Sequence, residues 1–481
     1  MPTGVERSQL GVPQHIAART TMLGSGFLVP LVAMLLSLVW GRVIPFNHAP
    51  DEAMHFNLAL YIARHHILPV LDASLGFVHT YCVLGGCIDT YATSAPGGAV
   101  VAALFIAATH LLGGVPYQDY ALHAGVFAPV VTAANPFVVA ARLASAFDVG
   151  IYAFFLSRIT DALLTDRYAR WTARALGVCI PQVTFIGAYV NDDAFSLAAG
   201  GAMFYVIVLT VRDGMRPRRV LLYGVALAAL LLAKLNYDLL TLALVPGVVF
   251  SVVRDWRTGT RWTPLRDAAL SGGVGAMIGG WWFVRNAVLY GDPTGLLATM
   301  RALDRVSPGY SRTRPLIMQH LNVGDMVARA PWIDLSYRSF WGMFDYMSVA
   351  LPASAYAAFG VLTALGLAGV LIAVCRVAIR RPLRVCAWQA LLWVLSAGLI
   401  VTAVAFSLWS SLVKDWEPQG RYLFPALIPF VLLVAVSLHG WWPRARYRRG
   451  AFLVITGLLA GINMFALVGI LIPLYGEHVA L

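Results

Sequence analysis

NDDAFSLAAGGAMFYVIVLTVRDGMRPRR, residues 191–219, is an apolar run with acids at one end and arginines at the other. Its middle, 194–211, is an uncharged run of 18 residues, close to the roughly 20 apolar residues that an α-helix needs to cross a bilayer. One end carries Asn191, Asp192 and Asp193, and the other opens into Arg212, Arg216, Arg218 and Arg219. The whole chain matches this piece. Of its 481 residues 59% are hydrophobic and only 12% charged, with a mean hydropathy of +0.73, whereas soluble domains carry about a quarter charged residues. An all-α polytopic membrane protein is expected.

Working outward, apolar runs fall at 22–45, 136–157, 170–190, 268–290, 352–375, 386–410, 422–440 and 451–474. The run 220–253 is too long for one helix and is broken by Lys234, Asn236, Tyr237 and Asp238, so it reads as two short spans with a polar tip. About eleven transmembrane helices follow. Arginines punctuate every second connection: near 158–174, 212–219, 254–266, 376–384 and 444–449. With Arg7 and Arg19 these take up 22 of the 35 Lys and Arg residues, against six acids, Glu6, Asp161, Asp166, Asp213, Asp255 and Asp267. Such a bias marks the cytoplasmic face. It places the N-terminus inside and residues 476–481 outside. The formal net charge of +12 therefore records orientation, and no nucleic-acid partner is expected.

The segment 96–114, PGGAVVAALFIAATHLLGG, is apolar but breaks the arginine alternation if it crosses. It is read as a juxtamembrane or re-entrant helix on the outer side. The first outer loop then runs over 46–135 and a second over 291–351. The chain divides into a module of 1–290 that includes the first loop, the second loop, and C-terminal helices over 352–481. The first apolar run is too long for a cleaved signal peptide, and Pro45 and Pro50 stand where small residues are needed. Membrane lipids are thus partners throughout.

The first outer loop opens with HAPDEAMHFNLALYIARHH. Asp51 sits where an N-cap starts a helix through about His66, with Asp51 and His55 one turn apart on one face. A capped interfacial helix explains this pattern as well as a site does, but two carboxylates at the end of a span are costly near hydrocarbon. Asp51 and Glu52 are the first candidates. Asp192 and Asp193 are the second pair and lie at the same face by the arginine count. Turns favour Asn and Asp in any case, so a plain hairpin tip is the alternative. Lys234, Arg285 (in WWFVRNAVLYGDP) and Arg421 (in WEPQGRYLFP) sit near span ends. Each either snorkels to head groups or helps to hold a lipid-linked phosphate. His79, His110 and His123 show no ligand spacing, and structural roles are expected for them. Cys82 and Cys87 are placed to close a small disulfide ring outside, while Cys179, Cys375 and Cys386 read as free thiols. Asp148 lies within a span and must face protein.

These pieces, namely PDEAMHF at 50–56, AARLASA at 140–146, NDD at 191–193, RNAVLYGDP at 285–293, SFWGMF at 339–344 and QGRYLFP at 419–425, resemble in their order a bacterial family with a Pro-Asp-Glu-x-x-His signature. That family belongs to the GT-C superfamily of membrane glycosyltransferases. The resemblance implies a GT-C-like fold with juxtamembrane helices in the first outer loop. It also implies inverting transfer of a sugar from a polyprenyl-phosphate donor to a cell-envelope glycan or lipid-linked acceptor, as in polysaccharide biosynthesis, at the outer face of the cytoplasmic membrane. On that reading Asp51 is the general base, and Glu52 orients the acceptor or assists it. His55 tunes the base, while Lys234, Arg285 and Arg421 receive the leaving phosphate. Asp192 and Asp193 bind hydroxyls or a divalent cation. Ala95 departs from the paired prolines that open this segment in many relatives. Two other readings remain: a protein or whole-glycan transferase of the same superfamily, and a transporter or flippase of lipid-linked sugars.

Overall fold

The computed structural model describes residues 14–71, 81–83, 86–88, 90–117, 132–257, 262–309, 315–328, 331–378, 386–442 and 444–476. Its helices in chain order are α1 (Gln14–Val43), α2 (Glu52–His65), α3 (Gly97–Gly113), α4 (Pro136–Leu163), α5 (Arg167–Cys179), α6 (Pro181–Ala188), α7 (Asp193–Asp213), α8 (Val220–Leu231) and α9 (Thr241–Arg257). There follow α10 (Thr263–Gly279), α11 (Trp281–Tyr290), α12 (Leu296–Val306), α13 (Val323–Ala328), α14 (Trp332–Trp341), α15 (Ala353–Ala378), α16 (Ala387–Val413), α17 (Leu427–Gly440) and α18 (Ala445–Phe465). The strands among the described residues make two antiparallel hairpins, β1 (Tyr81–Val83) with β2 (Gly86–Ile88) and β3 (Met343–Phe344) with β4 (Val349–Ala350).

The protein is an all-α, multi-pass membrane protein. Eight of its described helical stretches are long and apolar enough to cross a membrane: Gly26–Val43, Pro136–Leu163, Asp193–Asp213, Leu235–Arg257, Ala353–Ile372, Ala387–Val413, Gly420–Gly440 and Ala445–Tyr475. The other three of the eleven expected spans are short or interrupted. Run 170–190 splits into α5 and α6 at Ile180, extended at φ −62 and ψ 122 before Pro181, because the proline ring disfavours a helical residue ahead of it. Run 220–253 breaks where α8 ends at Leu231 and a 3₁₀ turn, Leu235–Leu240, carries the polar tip. Run 268–290 divides into α10 and α11 around Gly280.

The spans form an inner and an outer layer. Within its apolar window α7 is 89% buried and α4 72%, whereas Gly26–Val43, Leu235–Arg257, Ala353–Ile372 and Ala387–Val413 are buried over only 28–33%. Small residues allow the inner helices to approach closely, as membrane packing requires. On α7, a side chain at Gly200 would run into the ring of Tyr237, and Gly201 faces Phe155 and Tyr152. At the arginine-rich connections each described acid is claimed by an arginine. Asp161 pairs with Arg174, Asp166 with Arg448 at 2.7 Å, Asp213 with Arg212 and Arg219, Asp255 with Arg254, and Asp267 with Arg266.

The expected helix over 96–114 is α3. One of its faces is buried through Ala102, Ala103 and Ile106 against α2 and α4, and its end exposes Leu111 and Leu112. Its first turn is seated on the 191–195 tip: Gly97 donates its N–H to the Leu232 carbonyl at 2.9 Å, and Gly98 lies against Asn191 and Asp192. A side chain at Gly97 would overlap Phe195 and that carbonyl. His110 is satisfied structurally, with Nδ1 2.8 Å from the Val115 carbonyl and its ring stacked on Tyr117. Asp148 is buried in α4, and among the described residues no cation pairs with it. Cys82 and Cys87 face each other in the β1–β2 register; their side chains, like His79 and His123, lie outside the described residues. Cys179, Cys375 and Cys386 are free.

Candidate functional site

Four chain segments meet at one end of the bundle: the turn before α2, the tip between α6 and α7, the break between α8 and α9, and the turn before α17. The turn before α2 is built around Glu52. Arg142 of α4 grips its carboxylate with Nε at 2.7 Å from Oε1 and Nη2 at 2.8 Å from Oε2. The Asn47 and Val190 N–H groups also donate to it. The remaining Arg142 donors reach the carbonyls of Gly41, Ile44 and Pro45, closing the end of α1. Glu52 is fully buried. A buried carboxylate with a forked guanidinium and two backbone donors has no capacity left for substrate. The role assigned to it from sequence, orienting an acceptor or assisting the base, does not fit this arrangement.

Asp51 stands at the N-cap position but does not cap. Its backbone is left-handed at φ 62 and ψ 14, and its side chain bonds no helix N–H. Asn47 Oδ1 accepts from Ala53 N–H at 3.2 Å instead. The Asp51 carboxylate, half-buried, accepts from the Tyr91 hydroxyl. Burial, with the negative charges of Asp51 and Asp192, pushes the Tyr91 phenol well above its ordinary value, so it stays a donor. His55 stacks edge-on to the Tyr91 ring at 4.7 Å and directs Nε2 to Asp192 Oδ1 at 3.8 Å. His55 thus ties the two acidic turns together.

In the 191–193 tip, Asn191 is structural. Its amide donates to the carbonyls of Ile186 and Tyr189, and its Oδ1 accepts from the Ala194 N–H. This leaves both aspartates free to face the cations. Lys234 Nζ lies 3.5 Å from Asp192 Oδ1 and 3.1 Å from Asp193 Oδ1. Arg421 Nη1 lies 3.2 Å from Asp193 Oδ2 and 3.4 Å from the Tyr189 hydroxyl. Tyr422 places its ring 5.1 Å from Lys234 Nζ. Burial raises the Asp192 pKa, but Lys234, His55 and Arg421 outweigh it and bring the group to about 2. Burial disfavours the charge on Lys234, yet the two aspartates leave its pKa above the ordinary lysine value. Arg421 Nε is buried without an acceptor. Asp192 and Lys234 therefore face each other as an ion pair, and the site keeps a guanidinium donor in reserve.

Local sequence explains these placements. The Gly420–Ala426 3₁₀ turn presses Gly420 onto the backbone of Phe340, where any Cβ would collide, and Gly420 N–H donates to Ser339 Oγ at 2.7 Å. That contact fixes Arg421. Lys234 is held through its own N–H to Ser196 Oγ, which donates in turn to the Asp192 carbonyl. The structure so brings together Asp51, His55, Asp192, Asp193, Lys234 and Arg421. Arg285 differs. Its guanidinium is spent on the carbonyls of Pro69 and Ala92 and the Asn286 side chain, so it clamps α11 to the segments that follow α2, next to Tyr91. Sequence reading missed two residues. Arg142 was signalled by a lone arginine inside an apolar run, and Tyr91 lies in a single 3₁₀ turn, Thr90–Thr93, too short to show periodicity. Among the described residues no group of three or more His, Cys, Asp or Glu is arranged to hold a metal ion.

No family model matches the chain, and no curated protein matches it. Among solved structures it is similar to ArnT from Cupriavidus metallidurans bound to undecaprenyl phosphate, with 14% identity and a TM-score of 0.47. The match covers 91% of this chain, which spans only 64% of that one.

Proposed function

We propose that the protein is an inverting membrane glycosyltransferase that moves a sugar from a polyprenyl-phosphate donor to a hydroxyl acceptor. The observation that carries this reading is the pairing of a carboxylate, Asp51, with two cations, Lys234 and Arg421, across one buried acidic tip. The acceptor hydroxyl attacks the anomeric carbon, and its proton passes to Asp51. As the new C–O bond forms, the bond to phosphate breaks, and its electron pair leaves on the phosphate oxygen. Lys234 and the unpartnered Arg421 Nε receive that charge, which removes the need for a general acid. Asp192 and Asp193 keep the two cations apart and in register until phosphate arrives.

Glu52 and Arg142 act through position: their ion pair locks the residue next to Asp51. Tyr91 aims the Asp51 carboxylate, and Arg285 steadies the Tyr91 segment. The sequence pattern of arginines supports a site on the outer face of a bacterial cytoplasmic membrane, with a cell-envelope glycan or lipid-linked sugar as acceptor. The test uses purified protein in vesicles with undecaprenyl-phosphate sugars carrying a radiolabel and a membrane extract as acceptor source. Transfer is expected with the native chain, and Asp51→Asn is expected to lower it at least about 10²-fold, the usual contribution of a general base, with undecaprenyl phosphate still bound. Transfer that survives Asp51→Asn overturns the base assignment. Translocation of the donor without any product favours a transporter.

A further inference from the structure

Beside Asp51 stands an exposed element that the chemistry above does not use. The β3–β4 hairpin has a rigid base: Phe344 is fully buried, edge-on to Trp40 at 5.2 Å and to Phe185 at 5.4 Å. Met343 N–H donates to Gln182 Oε1 at 3.0 Å, and the Tyr356 hydroxyl donates to the Gly342 carbonyl at 2.7 Å. Its tip, residues 345–348, is carried out from this base. Tyr346 is 51% exposed, yet its hydroxyl donates to Asn47 Oδ1 at 3.2 Å, on the turn that holds Glu52 and leads to Asp51. Asp345 meets His48 Nδ1 at 3.4 Å and accepts from Ser348 Oγ. The His48 ring packs edge-on to Tyr475 at 5.2 Å, which the last helix delivers through a π-helical segment, Ala466–Leu471.

Three features separate this rim from an ordinary loop. Four of the described non-glycine residues with left-handed backbone, Asn47, Asp51, Asp345 and Met347, belong to it, and such strain persists where the surroundings over-determine it and gathers at functional sites. Its charge is one-sided, because among the described residues no lysine or arginine ion-pairs with Asp345, and the cations of the site sit with Asp192 and Asp193. An anionic ligand group is thus disfavoured here, and neutral hydroxyls that donate to carboxylates are favoured. Tyr346 offers an aromatic face fixed at its polar end, the combination of apolar body and anchored hydroxyl that binds amphipathic rings.

We propose that residues 345–348 with His48 form the acceptor subsite, which takes a neutral sugar whose ring stacks on Tyr346 and whose hydroxyls meet Asp345 and Asp51. This rests on the glycosyltransferase reading and divides its site into a cationic donor side and an anionic acceptor side.

The experiment places the photo-crosslinker p-benzoylphenylalanine at position 348 of the full chain in native membranes. Covalent adducts are scored for periodate-oxidisable glycan, for phospholipid and for protein, and the same crosslinker at position 112 reports lipid contact alone. A glycan adduct at 348 is expected. It should fall at least tenfold when Tyr346→Ala is added and stay within twofold with Tyr346→Phe, which keeps the ring. An adduct of phospholipid or protein only, no adduct, or a glycan adduct indifferent to Tyr346→Ala overturns the subsite. Transfer from the radiolabelled donor is measured on the same membranes. Transfer without a glycan adduct overturns the subsite and leaves the glycosyltransferase reading. A Tyr346-dependent glycan adduct without transfer supports the carbohydrate site and overturns the glycosyltransferase reading.

Discussion

Arg142 and Glu52, 90 positions apart in sequence, form a forked pair in which Nε and Nη2 lie 2.7 Å and 2.8 Å from the two carboxylate oxygens, with both side chains buried. Removing one partner leaves the other as an uncompensated buried charge. Arg142→Met is expected to cost about 3–5 kcal/mol, and Glu52→Gln a similar amount, whereas the double variant should lose clearly less than the sum. Thermal unfolding in detergent checks this, and additive losses would show that the pair is not coupled.

The contact between Asp192 and Lys234 has a definite pH window. Asp192 is depressed to about 2, from an unfolded value of roughly 3.9. Its contribution, roughly 2–3 kcal/mol by that shift, is fully present above pH ~4 and lost as pH falls toward 2. Lys234→Met should therefore destabilise the protein at pH 6, and the gap from the native chain should close between pH ~4 and 2. A gap that persists unchanged at pH 2 counts against the pairing.

Arg421 and Arg285 should separate in binding assays. Arg421→Ala is expected to weaken undecaprenyl phosphate binding about tenfold or more, since it removes a charge-assisted donor. Arg285→Ala should leave that affinity within twofold. It should instead speed proteolysis between residues 69 and 92, since it holds the carbonyls of Pro69 and Ala92. Equal loss of lipid binding in both variants would restore Arg285 to the phosphate site.

Tyr91→Phe keeps the ring that His55 stacks on and deletes only the hydroxyl to Asp51. Sugar transfer is expected to slow about tenfold, in line with a hydrogen bond to a charged group, with donor affinity unchanged. A rise in donor Kd at constant turnover would assign Tyr91 to binding.

Gly420→Ala is expected to destabilise the fold by about 1–3 kcal/mol, because the added methyl meets Phe340 backbone and not a yielding side chain. Reduced expression and a lower Tm are the readouts, and a native Tm would mean that the 3₁₀ turn can shift.

Much of this was legible in the residues. Hydropathy and arginine placement gave the apolar runs, and the 170–190 and 268–290 runs differ only in being broken at Ile180–Pro181 and near Gly280. The polar break at Lys234 was visible because charge inside a long apolar run has few places to go. What a one-dimensional reading misses is who meets whom. Nothing local says that Glu52, beside Asp51 in PDEAMHF, is consumed by Arg142 from another helix. Nor does anything local say that Arg285 spends its donors on backbone carbonyls, since a guanidinium suits phosphate and carbonyl oxygen alike. The Asp51 N-cap expectation failed for a backbone reason, because its left-handed φ turns the carboxylate away from the helix it precedes.

That backbone angle also limits which amino acids position 51 can hold. At φ 62 a β-branched or bulky side chain is sterically penalised, while glycine, asparagine and aspartate are admitted. Of those three only aspartate carries a carboxylate that can serve as a base. The main chain thus filters substitutions there before chemistry does, and asparagine becomes the replacement that alters charge while sparing shape. An alanine at the same place would change both, and its phenotype would mix a lost carboxylate with a strained turn.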